Sequence, residues 1–288
     1  MKKILFLHDP LSPVPPALLS SVVNVASADH SYVKILLLGR LYFYGNSPYY
    51  GEPSISLTAP PSIISPATEV LKEDVEQTEK QLLKQRLPQL EARFKEAGIR
   101  CSFSDEVSSL AEILTHSAYA DLIIADALIN IPGPVHPSLN VSIRELLVDT
   151  HCPVLLLREG DMPPDRVLLC YDGSFSSMHA IRSFSYLFPN LRYIPCIVLH
   201  VAGREQKEPQ DLHFLKDWLP VHFDNHTVEV LPGEPADVLP AVANKLSDST
   251  LVVMGAYGRS ALSRLFRHSL ANAVLEKAGA ALFITHER

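Results

Sequence analysis

The sequence predicts an α/β protein made of two similar units, each a parallel sheet flanked by helices. Short apolar runs alternate with longer segments in which apolar residues recur every three or four positions, the pattern of parallel βαβ units. This pattern restarts after residues 159–165, Glu-Gly-Asp-Met-Pro-Pro-Asp, which have the composition of a linker. A chain of 288 residues is also long enough for two domains. We therefore predict domains over residues 1–158 and 166–288.

Each unit contains five predicted strands separated by helices. In the first unit the strands cover 2–8, 33–38, 99–104, 121–125 and 153–157, and the helices 14–28, 69–97, 110–116 and 141–149. In the second unit a strand begins at 166, further strands cover 193–201, 227–231, 251–254 and 281–285, and the helices cover 176–187, 211–219, a segment opened by Pro235, and a segment ending at 278. Gly98 is the predicted C-cap of the longest helix.

The two units open with similar sequences. Residues 166–174, Arg-Val-Leu-Leu-Cys-Tyr-Asp-Gly-Ser, repeat the pattern of residues 3–10, Lys-Ile-Leu-Phe-Leu-His-Asp-Pro. The repeat aligns Asp9 with Asp172, each at the end of a first strand. The chain is therefore interpreted as a tandem duplication of one α/β unit.

The net charge, the apolar runs and the cysteines exclude some classes of binding partner and of cellular location. The net charge of −7 and the pI near 5.9 argue against general binding to nucleic acid or to an anionic membrane. No charge-free run approaches the roughly 20 residues that span a bilayer, and the apolar run before His8 is too short for a signal peptide. The four cysteines form no C-x-x-C pair. Cys170 and Cys196 lie in apolar, strand-like runs, so we expect these two to be buried thiols, and we expect a cytoplasmic protein.

The most informative stretch runs from Leu251 to Leu270. An apolar run ending at Met254 passes into Gly255-Ala256-Tyr257-Gly258, then a basic segment, and a helical pattern begins near Ser269. Glycines let a backbone approach an anion closely, and a helix start offers unpaired N–H groups, so such a turn can hold phosphates. A purely structural turn is the alternative. The spacing matches neither a P-loop nor the G-x-G-x-x-G fingerprint.

This stretch resembles the nucleotide-binding signature of the universal stress protein family, G-x-x-G, nine residues, then G-[ST]. Here Gly255 and Gly258 are followed by residues 259–267 and then by His268 and Ser269, so a histidine replaces one glycine. The resemblance covers nearly the whole chain, as a tandem two-domain member. It implies two Rossmann-like, adenine nucleotide α-hydrolase-like domains, each a five-stranded parallel sheet flanked by helices.

The resemblance also implies which residues hold a nucleotide. Asp172, with Gly173 and Ser174, and Val201 would hold the adenosine part. The phosphates would lie against the glycine turn and the helix after it: Met254, Gly255, Gly258, Arg259, His268, Ser269 and Leu270. The ligand would be ATP or a related adenine nucleotide carrying its own magnesium, with no separate protein metal site. The alternatives are a turn and helix-cap role for Asp172 and an ordinary core role for Val201.

The first unit has diverged at the equivalent positions. Alignment places Ser142 opposite Ser269, Val141 opposite His268, and Asp126 near Gly255. Its turn, 131–137, is rich in proline and lacks arginine, and Asp126 would repel a phosphate if it pointed inward. We expect the first unit to have lost nucleotide binding.

Three other features have two interpretations each. Arg264 and Arg267 either pair with phosphates or form a solvated helix end. His213, His222 and His226 are expected to be loop histidines rather than zinc ligands. Residues 41–66, which are aromatic and then Pro/Ser-rich, form either a lid or interaction loop or a surface Ω-loop.

The sequence therefore predicts a regulatory protein of stress responses that binds an adenine nucleotide in its second domain. One rival is a scaffold of the same fold without a ligand, in which His268 blocks the site. An enzyme is less favoured, because no general base, lysine or acidic pair stands beside the glycine turn. A homodimer or a protein partner is compatible with either, since two domains of one chain can pair as two subunits do in single-domain relatives.

Overall fold

The computed structural model describes residues 1–8, 14–28, 30–38, 85, 87–108, 110–127, 146–147, 149–158, 161–202, 209, 211–246, 249–255 and 280–285. Its strands are β1 Lys3–His8, β2 Tyr32–Leu38, β3 Arg100–Ser108, β4 Leu122–Asp126, β5 Val154–Leu157, β6 Arg166–Cys170, β7 Cys196–Ala202, β8 His226–Pro232, β9 Thr250–Gly255 and β10 Ala281–Thr285. Its helices are α1 Pro16–Ser27, α2 at 87–96, α3 Leu110–Ser117, α4 Phe175–Leu187, α5 Leu212–His222 and α6 Pro235–Leu246.

The ten described strands form one sheet in the order β3-β2-β1-β4-β5-β10-β9-β6-β7-β8. Strands β1 to β5 are parallel, and so are β6 to β10, which confirms the five parallel strands predicted for each half, although the two sets join in one sheet. Both halves follow the same order, with the first strand at the centre and the chain turning to opposite sides of it. The halves join where β5 pairs antiparallel with β10, and Phe283 lies opposite Leu155.

Helices cover both faces of this sheet because its strands are buried on both sides. The strand β1 shows the alternation, with Ile4 and Phe6 in one hydrophobic cluster and Leu5 and Leu7 in the other. Apolar residues of α1, α2, α4 and α5 complete the first cluster. Apolar residues of α3 and α6, with residues 146–147, complete the second. The layering is that of a doubly wound α/β fold.

Helix ends follow their local sequences. Gly98 adopts a φ of +70°, and the Ile99 N–H donates to the Phe94 carbonyl at 2.9 Å, so α2 ends in a glycine cap as predicted. At the start of α1, Pro16 occupies the first turn, where a missing N–H costs nothing. Helix ends of this kind depend only on residues that are neighbours in the sequence, so they can be predicted from the sequence.

Three predicted boundaries are wrong by three or four residues. The strand expected over 99–104 is β3, which continues to Ser108. The strand expected over 193–201 is β7, which begins only at Cys196, because a 3₁₀ turn over Pro189–Leu191 and then Pro195 precede it. The helix expected over 211–219 continues to His222 with Pro220 inside it. Buried Leu219 and Phe223 hold this last turn on the core, and the Phe223 N–H donates to the Leu219 carbonyl at 2.8 Å.

The longer helix also corrects the expectation of loop histidines. His213 and His222 lie on α5, and His226 begins β8. The ring of His222 stacks on Trp218 at a centroid distance of 3.8 Å. The Nδ1 of His226 is 2.7 Å from the Phe223 carbonyl oxygen. Within the described ranges no three His, Cys, Asp or Glu side chains are grouped as metal ligands.

Part of the segment between the halves is packed on the first half. Met162 is 8% exposed and belongs to the first hydrophobic cluster. Its N–H donates to the Ser21 hydroxyl at 3.3 Å, and its carbonyl accepts from the Asn24 amide at 3.1 Å. The segment predicted as a linker therefore docks on α1, and the predicted domain limits stay a prediction.

The buried-thiol prediction is confirmed. Cys152, Cys170 and Cys196 are buried and free, and burial raises the pKa of each thiol to about 12. Cys101 is half-buried and free. As to membranes, none of the helices in the described ranges combines the length and the apolar character that crossing a bilayer requires.

Candidate functional site

The candidate site lies at the carboxyl ends of β6, β7 and β9. In the second half, the chain passes from β6 to β7 on one side and from β9 to β10 on the other. The ends of β6 and β9 therefore form a topological switch point, where open α/β sheets bind ligands. Asp172 lies just after β6, Val201 is the last residue but one of β7, and Gly255 is the last residue of β9.

A tight turn carries the chain from β6 into α4. Asp172 Oδ1 accepts a hydrogen bond from the Ser174 N–H at 2.9 Å, and Gly173 adopts a φ of +82°. Ser174 is the N-cap of α4, and its hydroxyl accepts from the Ser177 N–H at 3.1 Å. A side chain on Gly173 would also place its Cβ 3.1 Å from Pro209 Cβ. The local capping role proposed as an alternative is therefore present, and one carboxylate oxygen serves it.

Gly255 is fixed by a close approach between strand and helix. A Cβ at this position would lie 2.6 Å from the backbone oxygen of Ser176 and 2.7 Å from its carbonyl carbon. The φ of Gly255 is not positive. Glycine is thus required here by space rather than by backbone conformation, and the space is occupied by the first turn of α4.

The neighbouring apolar site residues belong to the core. Met254 is 4% exposed, and its side chain packs in the second hydrophobic cluster beside the carboxyl end of β9. Val201 is half-buried and packs against the same cluster from the end of β7. The core interpretation of Val201 is correct for the buried part of its side chain, and the exposed part lies at the edge of the sheet.

The edge is electrically uneven. Burial, and then the carboxylates of Asp211 and Asp172, raise the pKa of the Tyr171 hydroxyl. The β6 side of the edge therefore carries negative potential, which disfavours phosphate. Uncharged groups suit this side better than anions do.

Sequence reasoning missed one polar residue of this edge. His200 is 8% exposed, and its Nδ1 is 2.9 Å from the carbonyl oxygen of Tyr171. The signal was present, since alternation along β7 places His200 and Val201 on opposite faces of the same strand end. Pro209 and Ser176 were also missed, because their contacts are made by distant segments and by backbone atoms.

The first half has a different edge. Asp126 ends β4 as Gly255 ends β9, and it is half-buried. Residues 9–15 connect β1 to α1, whereas 171–174 connect β6 to α4, so the chain reaches the first-half helix by a longer path. The predicted loss of nucleotide binding in this half stays a prediction. Asp9, Val141 and Ser142 lie outside the described residues.

Several predicted residues of the second half also lie outside the described ranges: Gly258, Arg259, Arg264, Arg267, His268, Ser269 and Leu270. The same holds for the aromatic segment 41–66 and for most of the predicted helices 69–97 and 141–149. The structure therefore brings together Asp172, Val201 and Gly255 and leaves the phosphate half of the site as a prediction.

Comparison with known proteins gives a match in the second half. Residues 221–286, which contain β8, α6, β9 and β10, match the model of the universal stress protein family. This part of the chain is therefore similar to universal stress protein domains. No curated protein matches the sequence.

Solved structures extend the universal stress protein fold to the whole chain. A universal stress protein from Archaeoglobus fulgidus DSM 4304 is 14% identical with a TM-score of 0.67, and covers 99% of this chain and 96% of its own. A putative universal stress protein from Pseudomonas aeruginosa UCBPP-PA14 is 15% identical with a TM-score of 0.64, covering 99% and 93%. A functionally unknown protein from Pseudomonas aeruginosa PAO1 is similar at 15% identity and a TM-score of 0.61, covering 99% and 92%.

Proposed function

We propose that this protein binds ATP or a related adenine nucleotide at the carboxyl edge of its second half and acts as a regulator in a stress response. The observation that carries the proposal is the joint arrangement of β6, β9 and α4. It combines a topological switch point with a capped helix start packed directly on Gly255. The match of residues 221–286 to the universal stress protein family supports it.

The two parts of the nucleotide lie at different places along this edge of the sheet. The adenosine part lies over the ends of β6 and β7, between Asp172 and Val201, where negative potential from Asp172 and Asp211 favours uncharged groups. The phosphates extend beyond β9 to the segment with Gly258, Arg259 and Ser269, with magnesium carried by the ligand. The nucleotide regulates by binding two conformations with different affinity.

A scaffold without a ligand is the second candidate. One specific observation favours it, namely that Asp172 and Ser174 already serve the turn and the helix cap. A scaffold needs these local contacts and nothing further from the edge. These contacts are compatible with either candidate, and a binding measurement decides between them.

Isothermal titration calorimetry of nucleotide-stripped protein with magnesium-ATP tests the proposal. We expect one site per chain with a Kd of about 1–100 μM, a total free energy of about 5–8 kcal/mol. A His268→Gly variant indicates whether this side chain obstructs the phosphates, by tighter binding, or holds them, by weaker binding. Two sites per chain would overturn the expectation for the first half. Folded protein that binds no adenine nucleotide would favour the scaffold.

A further inference from the structure

The buried imidazole of His200 points to a specificity contact within the proposed site. His200 lies in β7, one strand away from the switch point, and its Nδ1 is 2.9 Å from the Tyr171 carbonyl oxygen. A carbonyl oxygen accepts hydrogen bonds and does not donate them, so Nδ1 carries a proton. In the neutral ring Nε2 is then an acceptor with an available lone pair.

Nε2 is left for a partner from outside the described fold. Among the described residues, the bond from Nδ1 is the hydrogen bond that the ring makes. The His200 side chain is 8% exposed, so its ring is largely removed from bulk water. An imidazole acceptor in such a place is suited to a ligand donor, since leaving a buried acceptor unpaired costs free energy.

The position of the ring matches the adenosine side of the edge. The carbonyl that it contacts belongs to Tyr171, the residue directly before Asp172. His200 and Val201 face opposite sides of β7, so together they border the strand end from both sides. Pro209 lies near the same turn, since a Cβ on Gly173 would be 3.1 Å from the Pro209 Cβ.

We infer that His200 Nε2 accepts a hydrogen bond from the nucleoside part of the ligand, either from an exocyclic amine of the base or from a ribose hydroxyl. This inference rests on the proposed nucleotide function and adds a determinant of specificity to it. The Nδ1 bond to Tyr171 acts as the orienting contact, because it fixes both the ring plane and the position of the proton. A base without an amine, or a sugar without the hydroxyl, loses the contact.

The test uses a substitution that separates the two nitrogens. In His200→Asn the amide group replaces Nδ1 and can still donate to the Tyr171 carbonyl, but nothing replaces Nε2. The matched control is His226→Asn, because His226 Nδ1 makes the same type of bond, to the Phe223 carbonyl at 2.7 Å, at the opposite end of its strand. We expect the Kd for magnesium-ATP to rise about five- to tenfold in H200N, the value of one net hydrogen bond, and to stay unchanged in H226N.

Analogues identify the donor. Inosine triphosphate lacks the adenine amine, and 2′-deoxy-ATP and 3′-deoxy-ATP each lack one ribose hydroxyl. The analogue that lacks the donor should bind wild-type protein and H200N equally, while the others keep the five- to tenfold difference. If the amine is the donor, the protein prefers adenine to hypoxanthine through His200.

Each outcome decides a separate question. If wild-type protein binds no nucleotide, the proposed function fails and this inference fails with it. If wild-type protein binds and H200N binds equally well, the inference alone is overturned. If H200N does not fold, ¹⁵N NMR of wild-type imidazoles replaces it. Addition of nucleotide should then shift the Nε2 resonance of His200 and leave that of His226 in place, and an unmoved His200 resonance contradicts the inference.

Discussion

At the scale of single residues, Gly255 shows how the fold depends on one position of the proposed site. Its absent side chain lets the first turn of α4 rest on the end of β9, with 2.6 Å between the Ser176 oxygen and the place of a Cβ. A ligand that uses the N–H groups of this edge depends on the same contact. Loss of nucleotide binding in a Gly255 variant would therefore report the position of α4 as much as a direct contact.

Gly255→Ala should destabilise the protein by about 1–3 kcal/mol, the cost of forcing a methyl group into a filled space. Urea unfolding measures the loss, and hydrogen exchange should become faster in the first turn of α4. Gly98→Ala is the control, since Gly98 has a φ of +70° but no atom within 4 Å of an added Cβ. Its cost is conformational, about 1–2 kcal/mol, and should leave exchange in α4 unchanged. A G255A protein with native exchange in α4 would refute the packing argument.

The sequence predicted part of the candidate site for a clear reason. Asp172, Val201 and Gly255 end strands, and strand ends follow from apolar runs and turn residues. The sequence did not show that Ser176 and Pro209 border the glycines, because close backbone approach depends on where separate segments meet. Nor did it single out His200, because an isolated histidine in an apolar run resembles ordinary core.

At the scale of elements, most helices and strands were predicted within a few residues, because apolar periodicity and caps are local. The failures at β7 and α5 arose where prolines and buried aromatics act together. The predicted helix stopped at 219, but α5 continues through Pro220 because Leu219 and Phe223 keep its last turn on the core. Tertiary packing there outweighs the missing backbone donor.

The N-cap of α4 gives a prediction at this scale. Ser174→Ala removes the hydroxyl that accepts from the Ser177 N–H and should cost about 1 kcal/mol of unfolding free energy. Ser20→Ala is the matched control, because the Ser20 hydroxyl bonds back to the Pro16 carbonyl on an exposed surface of α1. It should change stability by less than about 0.5 kcal/mol, given the higher helix propensity of alanine. Chemical denaturation measures the free energy of unfolding of both variants. Equal losses would show that the Ser174 cap does not stabilise the protein more than an ordinary helix serine does.

At the scale of the whole molecule, the two halves are joined by more than a connecting segment. The pairing of β5 with β10 makes a single sheet, in which Phe283 of β10 lies opposite Leu155 of β5. Within its own half, Phe283 also packs against Phe184 and Phe188. The Lys2 ammonium lies 4.9 Å from the centre of the Phe188 ring, which links the start of the first half to the second. The sequence predicted the repeat but not this junction, because an antiparallel pairing between two parallel units leaves no periodic signal.

The segment that joins β5 to β6 predicts how the stability of the whole molecule depends on pH. Asp161 is 4% exposed, and its carboxylate accepts from the Arg158 N–H. Burial, aided by the charge of Asp126, raises the pKa of Asp161 from 3.8 to about 6. The folded state therefore binds a proton more tightly than the unfolded state does. This group contributes stability that is fully present below pH 3.8 and is lost as the pH rises through 6.

An Asp161→Asn variant isolates this contribution, since its amide oxygen can still accept from the Arg158 N–H and carries no charge. The variant should be more stable than wild-type protein at pH 7 by as much as about 3 kcal/mol, and the difference should shrink towards pH 4. Urea unfolding of both proteins at intervals between pH 4 and pH 8 measures it, and the change of the difference with pH separates the charge from any effect of packing. Parallel pH profiles would mean that Asp161 is hydrated in the folded chain, and that the segment docked on α1 by Met162 opens readily at neutral pH.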